Sequence, residues 1–413
     1  MEGRFDRETP PTPQDSAFEF NGNWAAFGKI ALTNLLLTIV TLGIYRFWAT
    51  ARERRYLWSE TRFIDDRLEW TGTGMELLIG FVMVLLLLVL PLFVIQFVQQ
   101  ALLLQGQTAA AGGLTLLLFL VIFYITGLAQ FRGLRYRLSR TYWHGIRGGS
   151  DDQGVGYGWS YIWKNFVGYM VFGLMIPWSL MTLWNERWNK MSFGPHKFDA
   201  IGDHSDTFKR YLLFYLLPVL LFAGGIIFGI IVAASGGNAA PIGPAQSFGL
   251  ALAFVLFFYL GLGLVALFFY AKFFRVAIDG LSLQKLDFGF SAKTKDWFIL
   301  LLGDAGLWLL AALFVALPLA VAAVSVGLIN NFKLPDAGAT PTEVYLAFLI
   351  PMIFIIIVPF SLVGPFIRYR HWKFFITYLQ CYGEINLDEL TQSETEISKH
   401  GEGLLDAFDV GAI

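Results

Sequence analysis

TLGIYRFWATARERRYLWSETRFIDDRLEWTGTG, residues 41–74, governs how the rest of the chain is read. It leaves an apolar segment and crosses a band of arginine and aromatic side chains. It then alternates polar and apolar residues from Thr61 to Trp70 before a Thr-Gly-Thr-Gly turn. Period-two alternation about a short turn is the pattern of a β-hairpin. A helix end, a basic belt and a hairpin therefore stand between two apolar blocks.

Working outward, those blocks are of membrane grade. The 413 residues are 56% hydrophobic, 17% aromatic and 15% charged, with a mean hydropathy of +0.58, whereas soluble domains carry about 25% charged residues. No ionisable Asp, Glu, Lys, Arg or His occurs in residues 77–131 or 211–271, and each run holds two helices of roughly 20 residues and a turn. A net charge of −1 gives no bulk field that points to nucleic acid. Cys381 is the single cysteine, which excludes an intrachain disulfide and a Cys-x-x-Cys site.

The expected fold class is an all-α polytopic membrane protein. Six clear transmembrane helices form three pairs: 76–98 with 114–133, the two halves of 211–271, and 297–328 with 344–366. Two further apolar segments, 24–48 and 159–184, either cross or are re-entrant. The uncharged core of the first, residues 30–45, gives about 24 Å of helix, short of a hydrocarbon core near 30 Å. Residues 1–17 read as a disordered tail with no signal-peptide core, residues 18–385 as one membrane domain, and residues 386–413 as a loose acidic tail.

The hairpin pattern recurs in the charged linkers near 59–74, 139–158, 189–206 and 278–291. Phe63 precedes the turn in the first, Phe193 precedes Gly194-Pro195 in the third, and Leu281 and Leu283 precede Gln284-Lys285 in the fourth. The second keeps only its first half around Trp143, and the stretch around Cys381 is the faintest copy. A lone hairpin is marginal in water, so several copies delivered to one face are expected to meet. The loops inside each pair are nearly uncharged while every linker carries Lys or Arg, which places the linkers in the cytoplasm. Segments 24–48 and 159–184 would then begin and end on that side. Trp24 and Lys29 match Trp159 and Lys164 in spacing, and Gly43 and Pro177 break their second halves.

TLGIYRFWATARERRYLWSETRF followed by LEWTGTGMELLIGF resembles the YjgN-like family of bacterial inner-membrane proteins of unknown function. WNERWNKMSFG and RLSRTYWHGIR are similar to that family's repeated Arg-rich elements in degenerate form. The resemblance covers residues 18–385. It implies a multi-pass inner-membrane protein and brings no activity, cofactor or catalytic residue.

Two groups of side chains stand out. Arg52, Arg54, Arg55, Arg132, Arg135, Arg137 and Arg140 form a basic belt. It reads either as positive-inside anchoring, with Trp48, Tyr56, Trp58, Tyr136 and Trp143 at the interface, or as a site for anionic lipid headgroups or a phosphorylated ligand. Asp304, about 10 Å into its span by helical rise and flanked by Gly303 and Gly306, is an intramembrane ionisable group and hence a candidate proton or cation relay. His196 and His204 fit no common metal-ligand spacing, and Thr71-Gly72-Thr73-Gly74 lacks the lysine of a phosphate loop. No catalytic constellation is visible. The expected function is non-enzymatic movement of a small solute or lipid. A scaffold that binds lipid headgroups or a protein partner is the alternative. No cofactor, metal or nucleic-acid partner is expected.

Overall fold

A computed structural model describes residues 17–234, 244–331, 341–383 and 391–395. The tail at residues 1–16 and most of the acidic C-terminal stretch lie outside the described residues.

Helix dominates, and the linkers supply strands between helices. β1 (Phe18–Phe20) leads to α1 (Trp24–Val40), α2 (Arg46–Ser59), β2 (Thr61–Phe63), β3 (Asp66–Arg67) and β4 (Glu69–Trp70). Then come α3 (Gly74–Val84), a π-helical turn at Leu85–Val89, α4 (Leu90–Leu104) and α5 (Thr108–Arg140). β5 (Thr141–Trp143) and β6 (Ile146–Gly149) precede α6 (Val155–Met170) and α7 (Ile176–Trp188). β7 (Ser192–Phe193) and β8 (His196–Ala200) precede α8 (Ser205–Ala234) and α9 (Pro244–Asp279). β9 (Leu281–Leu283), β10 (Leu286–Phe290), α10 (Thr294–Asn331), α11 (Pro341–Tyr378) and β11 (Leu379–Gly383) complete the order.

Four two-residue turns make the hairpins. Phe63 pairs with Asp66, Trp143 with Ile146, Phe193 with His196 and Leu283 with Leu286. In each, the first loop residue, Ile64, His144, Gly194 or Gln284, has positive φ, the backbone that matches the twist of the flanking strands. The second linker is thus a full hairpin and not a half copy.

An all-α description is corrected here. The linkers build an open half-barrel, an eight-stranded antiparallel sheet in the order β11-β10-β9-β8-β7-β6-β5-β4, beside a three-stranded β1-β2-β3 sheet. Unpaired N–H and C=O groups on short hairpin edges need partners, and the neighbouring linker supplies them. Leu68, between β3 and β4, donates its N–H to Thr61 O at 2.9 Å, and Trp143 Nε1 donates to Phe63 O at 3.0 Å, tying the two sheets together. Below them Phe131, Trp143, Tyr157, Met191, Phe198, Leu283 and Leu286 form the main core.

Every helical pair leaves the sheet and returns to it. Among the described residues three helices are long and apolar enough to cross a membrane, Thr108–Arg140, Leu252–Asp279 and Thr294–Pro318, one from each pair read in the sequence. Segments 24–48 and 159–184 are instead broken helices, and each folds back on itself. α1 ends in a Schellman turn: Gly43 N–H reaches Thr38 O at 2.7 Å and Leu42 N–H reaches Ile39 O at 3.1 Å, with φ of 52° and 94° at Leu42 and Gly43. Phe172 and Gly173 repeat this conformation, at 50° and 81°. Counted from these turns, Asn34 and Lys164 occupy equivalent places, so the Trp24/Trp159 spacing is five residues out of register.

A candidate polar site between the first helical hairpin and α10/α11

The base of the first helical hairpin is closed by Tyr56, whose hydroxyl donates to Asn23 O and accepts from Asn23 N–H, both at 2.9 Å. Asn23 also caps α1 through the Ala25 N–H at 2.8 Å. Phe27, fully buried, packs on Tyr56, Phe366 and Tyr369. These contacts set α11 alongside α1 and α2.

Higher up, the packing gives way to polar groups. Glu53 is buried between two arginines of its own helix. It accepts from Arg368 of α11 at 2.6 Å and from Asn34 Nδ2 at 3.3 Å, and Asn34 Nδ2 also reaches Ala49 O at 3.3 Å. Asn34 is only 2% exposed, yet its Oδ1 has no hydrogen-bond partner. Beside it lies an open cleft of about 260 Å³. Its polar lining comes from Asn34, Thr38, Arg46, Thr50, Glu53, Ser361 and Arg368, and Trp308, tilted against Phe360, closes one wall.

Asp304 lies on the other side of α11. It is 8% exposed, accepts from Arg370 Nε at 2.9 Å, and meets His371 Nε2 at 2.6 Å. Arg370 also donates to Leu300 O at 3.0 Å. Gly303 makes this possible, because a Cβ there would stand 2.0 Å from Arg370 Nη2. Asp304 is therefore an interhelical ion cluster and not a lone carboxylate. By helical rise it sits about 15 Å above the sheet end of α10. Two residues apart on α11, Arg368 and Arg370 clamp two buried carboxylates in different directions.

The basic belt does not form one surface. Arg54 is buried over the Trp70 ring at 5.1 Å and Arg135 is buried. Arg140 pairs with Glu76 at 3.0 Å, Arg137 donates to Gly133 O, and Arg132 to Gln153 O. Arg52 and Arg55 are exposed. Of the expected interfacial aromatics, Trp58, Tyr136 and Trp143 lie in the core instead. Trp58 stacks on Trp372 with centroids 4.0 Å apart, since a half-barrel needs an apolar face as much as a bilayer does. Cys381 is enclosed by the sheet core, and burial pushes its thiol up to about 12, too high for a thiolate nucleophile. Among the described residues no three metal-binding side chains come together.

Glu53, Asn34 and Arg368 were not singled out by the sequence. The signal was there for Glu53, the one acid in A-R-E-R-R, but its partner lies more than 300 residues away.

A family model described as "Bacterial protein of unknown function (DUF898)" matches residues 15–407. The chain belongs to this family. It is similar to the inner membrane protein YjgN of Escherichia coli (strain K12), 26% identical over 248 residues, which are 51% of this chain and 59% of that protein. It is also similar to the Salmonella typhimurium (strain LT2) inner membrane protein YjgN, 31% identical over 130 residues, 32% of this chain and 30% of that one. The chain thus spans less than two thirds of the curated relatives it matches. No solved structure matches it. The inner-membrane relatives and the three apolar helices together support an inner-membrane location for the chain.

Proposed function

We propose that this chain is a non-enzymatic inner-membrane protein that moves a small polar solute through the cleft between α1/α2 and α10/α11. The carrying observation is the buried, unpartnered Asn34 Oδ1 at a cleft that also holds the Glu53–Arg368 pair. Ionisable groups at membrane depth are expensive and mark solute or ion pathways by default. Non-continuous helices at that depth are tolerated where they line a cavity. In this reading six helices span in three pairs, and the internally repeated linkers all lie on the cytoplasmic face. The two broken hairpins enter and leave from that face. Supporting it, each helical pair starts and ends on one hydrogen-bonded sheet, which a bilayer cannot divide.

Single cysteines test this with membrane-impermeant thiol reagents. Asp151→Cys and Lys285→Cys are expected to label from the cytoplasm and Gln105→Cys from the opposite side; labelling of the first two from different sides would overturn the topology. Thr50→Cys, at a half-buried position that lines the cleft, is expected to label as a water-accessible position. If it stays unlabelled from both sides, the cleft is dry and the transport reading fails.

The scaffold reading is favoured by Arg52 and Arg55, exposed cations of α2 that form no ion pair among the described residues. Each such cation near a membrane surface is worth about 1 kcal/mol toward anionic lipid. Neutralising both would reduce co-purified anionic lipid and leave Thr50→Cys labelling unchanged.

A further inference from the structure

We infer that the cleft takes a small organic anion that carries a hydrogen-bond donor, with its negative group at the N-terminus of α2 and its donor on Asn34 Oδ1. The inference rests on the proposed pathway and supplies its ligand class.

The charges in the cleft do not balance. Glu53 is taken up by Arg368 and Asn34, which leaves Arg46 as the surplus charge among the lining groups. Its guanidinium lies over the Phe47 ring at 5.6 Å and forms no ion pair among the described residues. Arg46 is also the first residue of α2, which has no side-chain cap and no acid in its first turn. A cation at the positive end of a helix dipole is unfavourable by itself, and the same end is a favourable seat for an anion. Helix terminus and guanidinium therefore ask for one ligand of negative charge.

The neutral groups fix the rest of its chemistry. Thr38 Oγ1 donates to Asn34 O at 2.7 Å and Thr50 Oγ1 to Arg46 O at 3.0 Å. Their hydrogens are spent, and both hydroxyls can only accept. Asn34 Oδ1, buried and unpartnered, is a third acceptor. Leaving such a group unmet costs about 1–3 kcal/mol, and a hydroxyl or ammonium hydrogen on the ligand removes that cost. The cleft, at about 260 Å³, lies just below the roughly 300–1,000 Å³ of sites for drug-sized molecules. It suits a hydroxy- or amino-carboxylate of a few carbons, or the headgroup of an anionic lipid with a free hydroxyl.

The full chain in phosphatidylcholine nanodiscs can be titrated with glycolate, acetate, ethanolamine and glycerol, with thermal unfolding as the readout. Glycolate is expected to raise the melting temperature, acetate to do so more weakly because it lacks the donor, and ethanolamine and glycerol to have no effect. Arg46→Gln should weaken glycolate binding by about tenfold or more, the loss of one charge-assisted contact, and Arg46→Lys should restore part of it. Asn34→Leu should bring glycolate down to the level of acetate. Arg46 is exposed, so its variants test binding without disturbing the core. Equal response to ethanolamine, or unchanged glycolate affinity in Arg46→Gln, would overturn the assignment. Adding phosphatidylglycerol distinguishes the sources: competition identifies a lipid headgroup as occupant, and its absence identifies a free solute. Glycolate binding without uptake into proteoliposomes would sink the transport reading and leave the site. Uptake of ethanolamine without glycolate binding would do the reverse.

Discussion

The two broken helical hairpins share a turn conformation and differ in where their polar groups go. In α6/α7 polarity is settled inside the hairpin. Lys164 pairs with Glu186 at 2.6 Å, and Ser179 donates to Asn165 Oδ1 at 3.4 Å. The tip is tied to α8 by Tyr211 Oη to Gly173 O at 2.8 Å and by Tyr215 to Phe172 O. In α1/α2 the equivalent of Lys164 is Asn34, and the buried acid, Glu53, turns outward to α11. Both tips project from the packing, with Leu42 93% and Phe172 87% exposed. One hairpin is a closed strut. The other keeps its polar atoms at an open cleft, and that contrast is the main reason for placing function there.

The largest test removes each hairpin's acid. Glu53→Ala removes the buried carboxylate that Arg368 and Asn34 share and is expected to destabilise by about 3 kcal/mol, the lower end for breaking a buried pair. Glu186 is itself 22% exposed against 4% for Glu53, so Glu186→Ala should cost about 1 kcal/mol. Chemical denaturation in mild detergent measures both, and equal losses would abolish the distinction. Next come the tips. Gly43→Ala has open space and pays only the left-handed backbone, about 1–2 kcal/mol. Gly173→Ala adds a Cβ 3.2 Å from Ile176 Cδ1 and should cost somewhat more in the same assay. Tyr211→Phe should remove about 1 kcal/mol and raise amide exchange near Phe172 while exchange near Leu42 is unchanged.

The smallest effect lies in the β-turns that follow the hairpins. Asp65, in the turn after α2, accepts from His144 at 2.9 Å, and that hydrogen bond holds its carboxyl below the usual range. Its contribution is present above the unfolded value near 3.9 and lost as pH falls through the lower folded value. Both groups are substantially exposed, so it amounts to a few tenths of a kcal/mol. His144→Gln should flatten the fall in stability as the pH drops below about 4. The turn after α7, Gly194-Pro195, has no acid, and its variants should leave that slope intact.

Much of this was legible in the chain. Turn residues at Phe63, Phe193 and Leu283 located three hairpins because two-residue loops are local chemistry. Breakers at Gly43 and near Pro177 located the broken helices, although the register was set by Leu42 and Phe172, whose positive φ no propensity announces. Asp304 stood out because a carboxylate in an apolar run is conspicuous. Glu53 did not, since neighbouring arginines made it look like part of a solvated belt. Trp58 and Trp143 read as interfacial because indole rings suit a bilayer edge and a sheet core equally well.

The sequence by itself determined the membrane class, the charge-free helical pairs and the hairpin turns, because each depends on composition or on residues within a few positions of one another. Only the tertiary structure decided that the linkers join into one half-barrel, that residues 41–74 end a helical hairpin folded back on itself, and that Glu53 and Asp304 are both held by arginines of α11. The physical reason is common to all three. Sheet edges and buried charges must be satisfied, and their partners stand from tens to hundreds of residues away, where no sequence period can reach.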